Sequence, residues 1–141
     1  MSSLPRVVAV IGAPSSEAAV FGRVLADRLR RRVVCVRTLL QLEQRHRTHV
    51  GTQIEAAQAS GPGGLLPTQL VAPLVVQALR AAASDGVVLA GYPRSVEQHR
   101  HLETMGLAPR TLVHLSVPPA RQAHRFGTRC VIAGRALLAR A

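Results

Sequence analysis

Apolar residues fall along this chain in two rhythms. Short unbroken runs, Val7–Ile11, Val33–Val36 and Val87–Leu89, suit strands covered on both faces, and Leu112–Val117, interrupted by His114 and Ser116, reads as a fourth strand. Pro5 and Gly12 bound the first run, and Gly91 and Pro93 punctuate the end of the third. Between the runs the period lengthens to that of a helix. Val20, Phe21, Val24, Leu25 and Leu29 predict a helix over Glu17–Arg30 that packs on the sheet, with Ser15 or Ser16 as its N-cap and Glu17 complementing its dipole. Thr38 is placed to cap a helix through Leu42–Arg45, and Gly51–Ser60 reads as a polar-faced helix. Leu70, Val71, Leu74, Val75 and Leu79 form a core-facing stripe, with Pro67 in its first turn and Pro73 weakening it. Ser95 caps a helix to Met105, Gly106 fits the C′ position and Pro109 lies just beyond. Strands alternating with helices predict an α/β fold, three αβα layers around a parallel sheet, in one domain over residues 1–141.

Composition narrows this picture. At 141 residues and 48 % hydrophobic content the chain can bury a real core, but with 2 % aromatic residues that core must be aliphatic. No apolar run is long enough to span a bilayer, and Met1–Arg6 leads straight into the first strand without a signal sequence, so no membrane partner is expected. Cys35 and Cys130 lie far apart and read as free thiols in a reducing, intracellular compartment. His46 and His49 sit three apart but find no third ligand at sensible spacing, so they read as surface histidines and no metal site is expected.

Charge changes the picture more. The 18 basic residues, every one an arginine, face 7 acids, for a net charge of +11. Such a surface attracts polyanions, RNA or an acidic protein face. Arg28, Arg30, Arg31 and Arg32 gather where the first helix should end; there they complement its dipole and are also available to phosphate.

The candidate chemistry lies at strand ends. The run Val87–Leu89 leads into Ala90-Gly91-Tyr92-Pro93-Arg94, with Gln98 one helical turn on. Ligands of open α/β sheets bind beyond the carboxyl ends of the strands. There Arg94 offers a planar fork for phosphate, and Gln98 an amide able to read a base edge. After the first strand comes Gly12-Ala13-Pro14-Ser15-Ser16-Glu17-Ala18-Ala19-Val20, in the place of a phosphate-binding loop. These pieces, in this order, resemble the adenylate kinases and related nucleoside monophosphate kinases over residues 6–129. The family's loop opens Gly-x-Pro, and its third strand runs into Asp-Gly-Phe-Pro-Arg-x-x-x-Gln. Leu65-Leu66-Pro67-Thr68-Gln69-Leu70-Val71 resembles the family's Leu-Val-Pro-Asp-Glu-Leu-Val.

The resemblance implies a P-loop nucleotide-binding fold in which Arg94 grips the AMP phosphate, Gln98 contacts adenine, and backbone at Leu66 and Gly91 lines the pocket, with Gly12 and Pro14 remaining from the loop. It implies lid arginines near Arg125, Arg129 and Arg135, a helix over Ala120–Phe126, and too little chain beyond for a full lid and the family's last strand and helix. Val131–Ala141 is expected to be a tail or a short helix. The departures are chemical. Glu17 stands for a glycine, Ala18 for the lysine that neutralises transferring phosphate, Val20 for the magnesium-binding hydroxyl, Ala90 for the acid, and Gln41 for a second phosphate arginine. A carboxylate would repel triphosphate, so Mg-ATP is not expected and AMP is the one nucleotide considered. The expected function is a catalytically inactive kinase-like domain serving as a structural or interaction component of a larger assembly, mitochondrial or cytoplasmic. That assembly is a ribonucleoprotein such as a mitochondrial ribosome, with arginines on the RNA backbone, or a cytoskeletal complex. The alternatives are an AMP-binding module without turnover and, last, an active nucleoside monophosphate kinase.

Overall fold

The computed structural model describes residues 6–13, 16–60, 66–82, 85–116, 129–132 and 135–140. Its elements run β1 (Val7–Gly12), α1 (Ala18–Leu29), β2 (Arg32–Cys35), α2 (Val36–Arg45), α3 (His49–Ala59), α4 (Thr68–Ala81), β3 (Val87–Ala90), α5 (Val96–Thr104), β4 (Thr111–Ser116), β5 (Arg129–Ile132) and β6 (Arg135–Arg140). The sheet order is β2-β3-β1-β4-β5-β6. The first four strands are parallel, and β5 and β6 continue the sheet antiparallel.

Alternation along the central strands explains the layers. Val7, Val87 and Leu89 point to one face, where Val71, Val75 and Leu79 of α4 and Leu102 of α5 close over them. Val10, Val88, Val113 and Leu115 point to the other, against Ala26, Phe21 and Leu25 of α1. Every residue of β3 is therefore buried, which is why it reads as an unbroken apolar run. Tyr92 apart, the buried hydrophobic residues are aliphatic or cysteine.

Helix α5 follows the local code. The Ser95 side chain accepts from the Gln98 N–H, and Gly106 at φ 70° turns the chain so that the Leu107 N–H donates to the Leu102 carbonyl at 2.8 Å. Pro73 lies inside α4, and the helix continues through it. Other expectations need correction. Ser16 does not cap α1 with its side chain: the N-cap is Glu17 in the left-handed region (φ 54°), and the Ser16 hydroxyl turns back to donate to the Ala13 carbonyl at 2.6 Å, while Ser15 lies outside the described residues. Thr38 lies inside α2, which starts directly from β2 with Cys35 as its N-cap. Within the segment expected as a tail or a short helix over 131–141, Val131 and Ile132 belong to β5 and Arg135–Arg140 form strand β6. Strand β6 pairs with β5, which pairs with β4, so the tail satisfies backbone groups that β4 would otherwise present at an open edge. The helix expected over Ala120–Phe126 lies outside the described residues.

Candidate functional site

Because β1, β2 and β3 are parallel neighbours, their carboxyl ends open at one edge, and a cleft of about 900 Å³ lies there. Gly12 ends β1 at its floor. A methyl on Gly12 would collide with the Ser16 hydroxyl and sit 2.8 Å from the Leu115 carbonyl, so only glycine lets the turn close this tightly. Glu17 and Ala18 line one wall beside Val20, which is 56 % exposed. The cleft thus has a carboxylate and methyl groups where the family has bare backbone, an ammonium and a hydroxyl. Ala90, 1 % exposed, is covered by α1: a methyl on Gly22 would lie 2.8 Å from the Ala90 Cβ.

Val20 and Ala90 carry no oxygen ligand, and among the described residues no group of three His, Cys, Asp or Glu side chains could hold a metal.

The other wall is better furnished. Leaving β3, the chain presents Gly91 at φ 83°, then Tyr92, Pro93 and an exposed Arg94. Gln98 is 3 % exposed, and its Oε1 accepts from the Arg94 backbone N–H at 2.7 Å. The glutamine therefore fixes the turn that carries the arginine. Tyr92 is 1 % exposed, and among the described residues its hydroxyl has no hydrogen-bond partner. Burial, reinforced by the Glu97 carboxylate, pushes that hydroxyl up to about 12, so it stays protonated at neutral pH.

The remaining expected residues divide. Gly12, Leu66, Gly91, Arg94 and Gln98 all line the same cleft. Pro14 and Arg125 lie outside the described residues. Arg129 pairs with Ser116, at the carboxyl end of β4, while Arg135 pairs with Ile132, which in turn pairs with Val113. The last two therefore belong to antiparallel strands of the sheet. Gln41 also lines the cleft, in the place of the family's second phosphate arginine.

Sequence reasoning missed Arg37. It is exposed and lines the cleft one helical turn before Gln41. The available signal was position: an arginine just beyond the end of a parallel strand falls at the ligand edge. It also missed the Gln44–Gln58 pair, in which Nε2 of the first donates to Oε1 of the second at 2.8 Å, joining α2 to α3 along the cleft.

Comparison with known proteins bears on this arrangement. No protein-family model matches the chain. It is 30 % identical over 104 residues to an adenylate kinase of Nautilia profundicola, covering 72 % of this chain and 53 % of that protein. It is 30 % identical over 97 residues to an adenylate kinase of Sulfurovum sp., covering 67 % of this chain and 48 % of that protein. Over 58 residues it is 41 % identical to a chloroplastic adenylate kinase of Zea mays, covering 40 % of this chain and 26 % of that protein. The chain spans about half the length of the first two relatives. With a parallel αβα core carrying a Gly-x-Pro loop and a Pro-Arg turn at one edge, the chain is a partial, adenylate kinase-like member of that family.

Proposed function

We propose that this chain is an adenylate kinase-like module that does not transfer phosphate and serves as a structural or interaction component of a larger assembly. One observation carries the reading: Glu17 and Ala18 line the cleft where the family's loop has a glycine and its lysine. A carboxylate there opposes a triphosphate, and no ammonium follows the moving charge. The test is a coupled assay for ADP formation from AMP and ATP. The unmodified chain is expected to give none, and Glu17→Gly with Ala18→Lys to restore measurable turnover. Turnover by the unmodified chain would overturn the reading.

A second reading has its own support. Arg94 and Arg37 are both exposed at the cleft, and Gln98 commits its carbonyl to the Arg94 turn, which leaves its amide N–H groups for a base. The module then holds a nucleoside monophosphate without turnover. Calorimetric titration with AMP tests it: binding weakened by Arg94→Ala and by Arg37→Ala supports the reading, and no heat at millimolar AMP ends it. Arg94→Ala removes a charge-assisted contact of about 1.5–3 kcal/mol, a loss of roughly 10- to 150-fold in affinity.

A further inference from the structure

We propose that the edge of the sheet opposite the cleft is a binding surface for a nucleic-acid phosphate backbone. The four parallel strands start side by side there, and arginine stands at three of the starts. Arg32 opens β2, Arg6 precedes β1 and Arg110 precedes β4. The register aligns them: Arg32 pairs with Val87, Val87 pairs with Val7, and the Val7 carbonyl accepts from the Arg110 N–H at 3.0 Å. Strand β3 lacks an arginine of its own but is covered by one. A methyl on Gly86 would lie 3.0 Å from Arg31 Nε and 3.1 Å from its Cζ. The row crosses three strand spacings, about 14 Å. One strand of a duplex presents about four phosphates over that axial length.

Among the described residues no carboxylate neutralises this charge. Arg6, Arg30, Arg32 and Arg110 are exposed. All seven acids lie among the described residues, and the one ion pair seen there joins His99 to Glu103 at 3.4 Å. Asp27, Asp85 and Glu103 are the carboxylates near this edge by position in the chain, and among the described residues none forms an ion pair with an arginine. The carboxyl ends of α1, α4 and α5 also point here and favour cations, but a helix end counts for about half a charge. The edge stays positive.

The chemistry favours nucleic acid over an acidic protein. Protein interfaces also enrich arginine, but together with aromatic residues and methionine around a largely uncharged centre. Here the centre is guanidinium, and the described aromatics, Phe21 and Tyr92, are not at the strand starts. Nucleic-acid interfaces are strongly positive. Without stacking platforms the contact is to backbone rather than bases. The inference builds on the assembly reading by naming the surface and the class of partner, and it is independent of what the cleft holds.

The test is fluorescence anisotropy of the full chain with a labelled mixed-sequence RNA duplex across a series of NaCl concentrations, with labelled polyglutamate alongside. For four phosphate contacts, log K should fall with log salt at a slope of roughly −3.6. Arg32→Ser with Arg110→Ser should make that slope shallower by about 1.8, while lysine at both positions should preserve it. Arg23→Ser with Arg45→Ser removes the same charge elsewhere and should leave the slope unchanged. Circular dichroism confirms that each variant is folded. Equal losses in the edge and control variants would overturn the proposal in favour of diffuse attraction. Polyglutamate binding as tight as RNA would overturn it in favour of an acidic protein. AMP titration of the edge variant separates the two sites: AMP binding kept while the RNA slope falls supports two independent sites, and AMP failing in every variant sinks the cleft reading alone.

Discussion

Tyr92 has a phenol whose hydroxyl is buried with no partner among the described residues, at the base of the turn that presents Arg94. A buried hydroxyl without a hydrogen bond costs about 1–3 kcal/mol. Tyr92→Phe keeps the ring and removes that cost, so it should raise stability at neutral pH. The pH dependence follows from the same burial. The folded value is raised from 10.0 to about 12, first by desolvation and then by the Glu97 carboxylate, so the folded state holds the proton more tightly than the unfolded chain. This contribution is fully present below pH 10.0 and is lost as the pH rises through about 12. Thermal melts across that window should show the native chain losing stability steadily, while Tyr92→Phe loses less. This is the chain's single tyrosine and there is no tryptophan, so ultraviolet titration reports it alone. A midpoint near 10 in the folded protein would mean that the ring is solvated. Of the site residues, Arg94 and Gln98 were legible because a turn at the end of a buried strand has a local signature. The bond from the Arg94 N–H to the Gln98 side chain was not, since a glutamine's spacing gives its reach but not which half of the amide is spent inside.

The α2–α3 corner shows how closely elements are held. Thr48 caps α3 by accepting from the Gly51 N–H at 2.9 Å, and its hydroxyl also donates to the Glu43 carboxylate. Gly51 lies against the backbone of α2, where a methyl would collide with the Glu43 carbonyl. Two effects compete in Gly51→Ala. Helix propensity favours alanine by about 1 kcal/mol. Overpacking costs about 1–3 kcal/mol, and here the obstacle is backbone, which yields only if the helices part. Overpacking should win, so Gly51→Ala should destabilise the protein in urea unfolding and loosen the Gln44–Gln58 contact along the cleft. Thr48→Ala should cost about 0.5–2 kcal/mol through the lost cap. A stabilising Gly51→Ala would show that the two helices stand further apart. The same contrast between local and distant causes explains what was legible among elements. Strands β1 to β4 and helix α5 carry their signals in their own residues. The sequence offers Ser15 or Ser16 as the cap of α1, and Ser16 is instead spent under Gly12, donating to the Ala13 carbonyl. Helix α2 follows β2 without a loop, so its N-cap is Cys35, which carries no capping acceptor. Strand β6 depends on the edge chain beyond β4, a partner that no local pattern in residues 135–140 reveals.

At the scale of the whole molecule, cleft and arginine row occupy opposite edges of one parallel sheet, so two anion-facing surfaces are separated by the core. Both follow from chain direction: strand ends carry Arg94 and Arg37, and strand starts carry Arg6, Arg32 and Arg110. The unpaired charge should also govern stability. A net +11 on 141 residues repels itself, and from Arg6 to Arg110 no arginine has a carboxylate partner among the described residues to offset the repulsion. The screening length is about 30 Å at 0.01 M salt, comparable to a small domain, and falls to about 8 Å at 0.15 M. Moderate NaCl should therefore stabilise the fold, unlike a protein held by surface ion pairs, which salt weakens. A gain of about 1 kcal/mol would raise the melting temperature by roughly 3–5 °C for a chain of this size. Because screening acts on the whole field, Arg32→Ser with Arg110→Ser should melt higher than the native chain at low salt, and the difference should shrink as salt rises. Calorimetric melts along a NaCl series check both. A melting temperature that falls from low to moderate salt would mean that attraction, not repulsion, dominates among these charges. The arginine row would then be a contributor to folding rather than a surface kept for a polyanion.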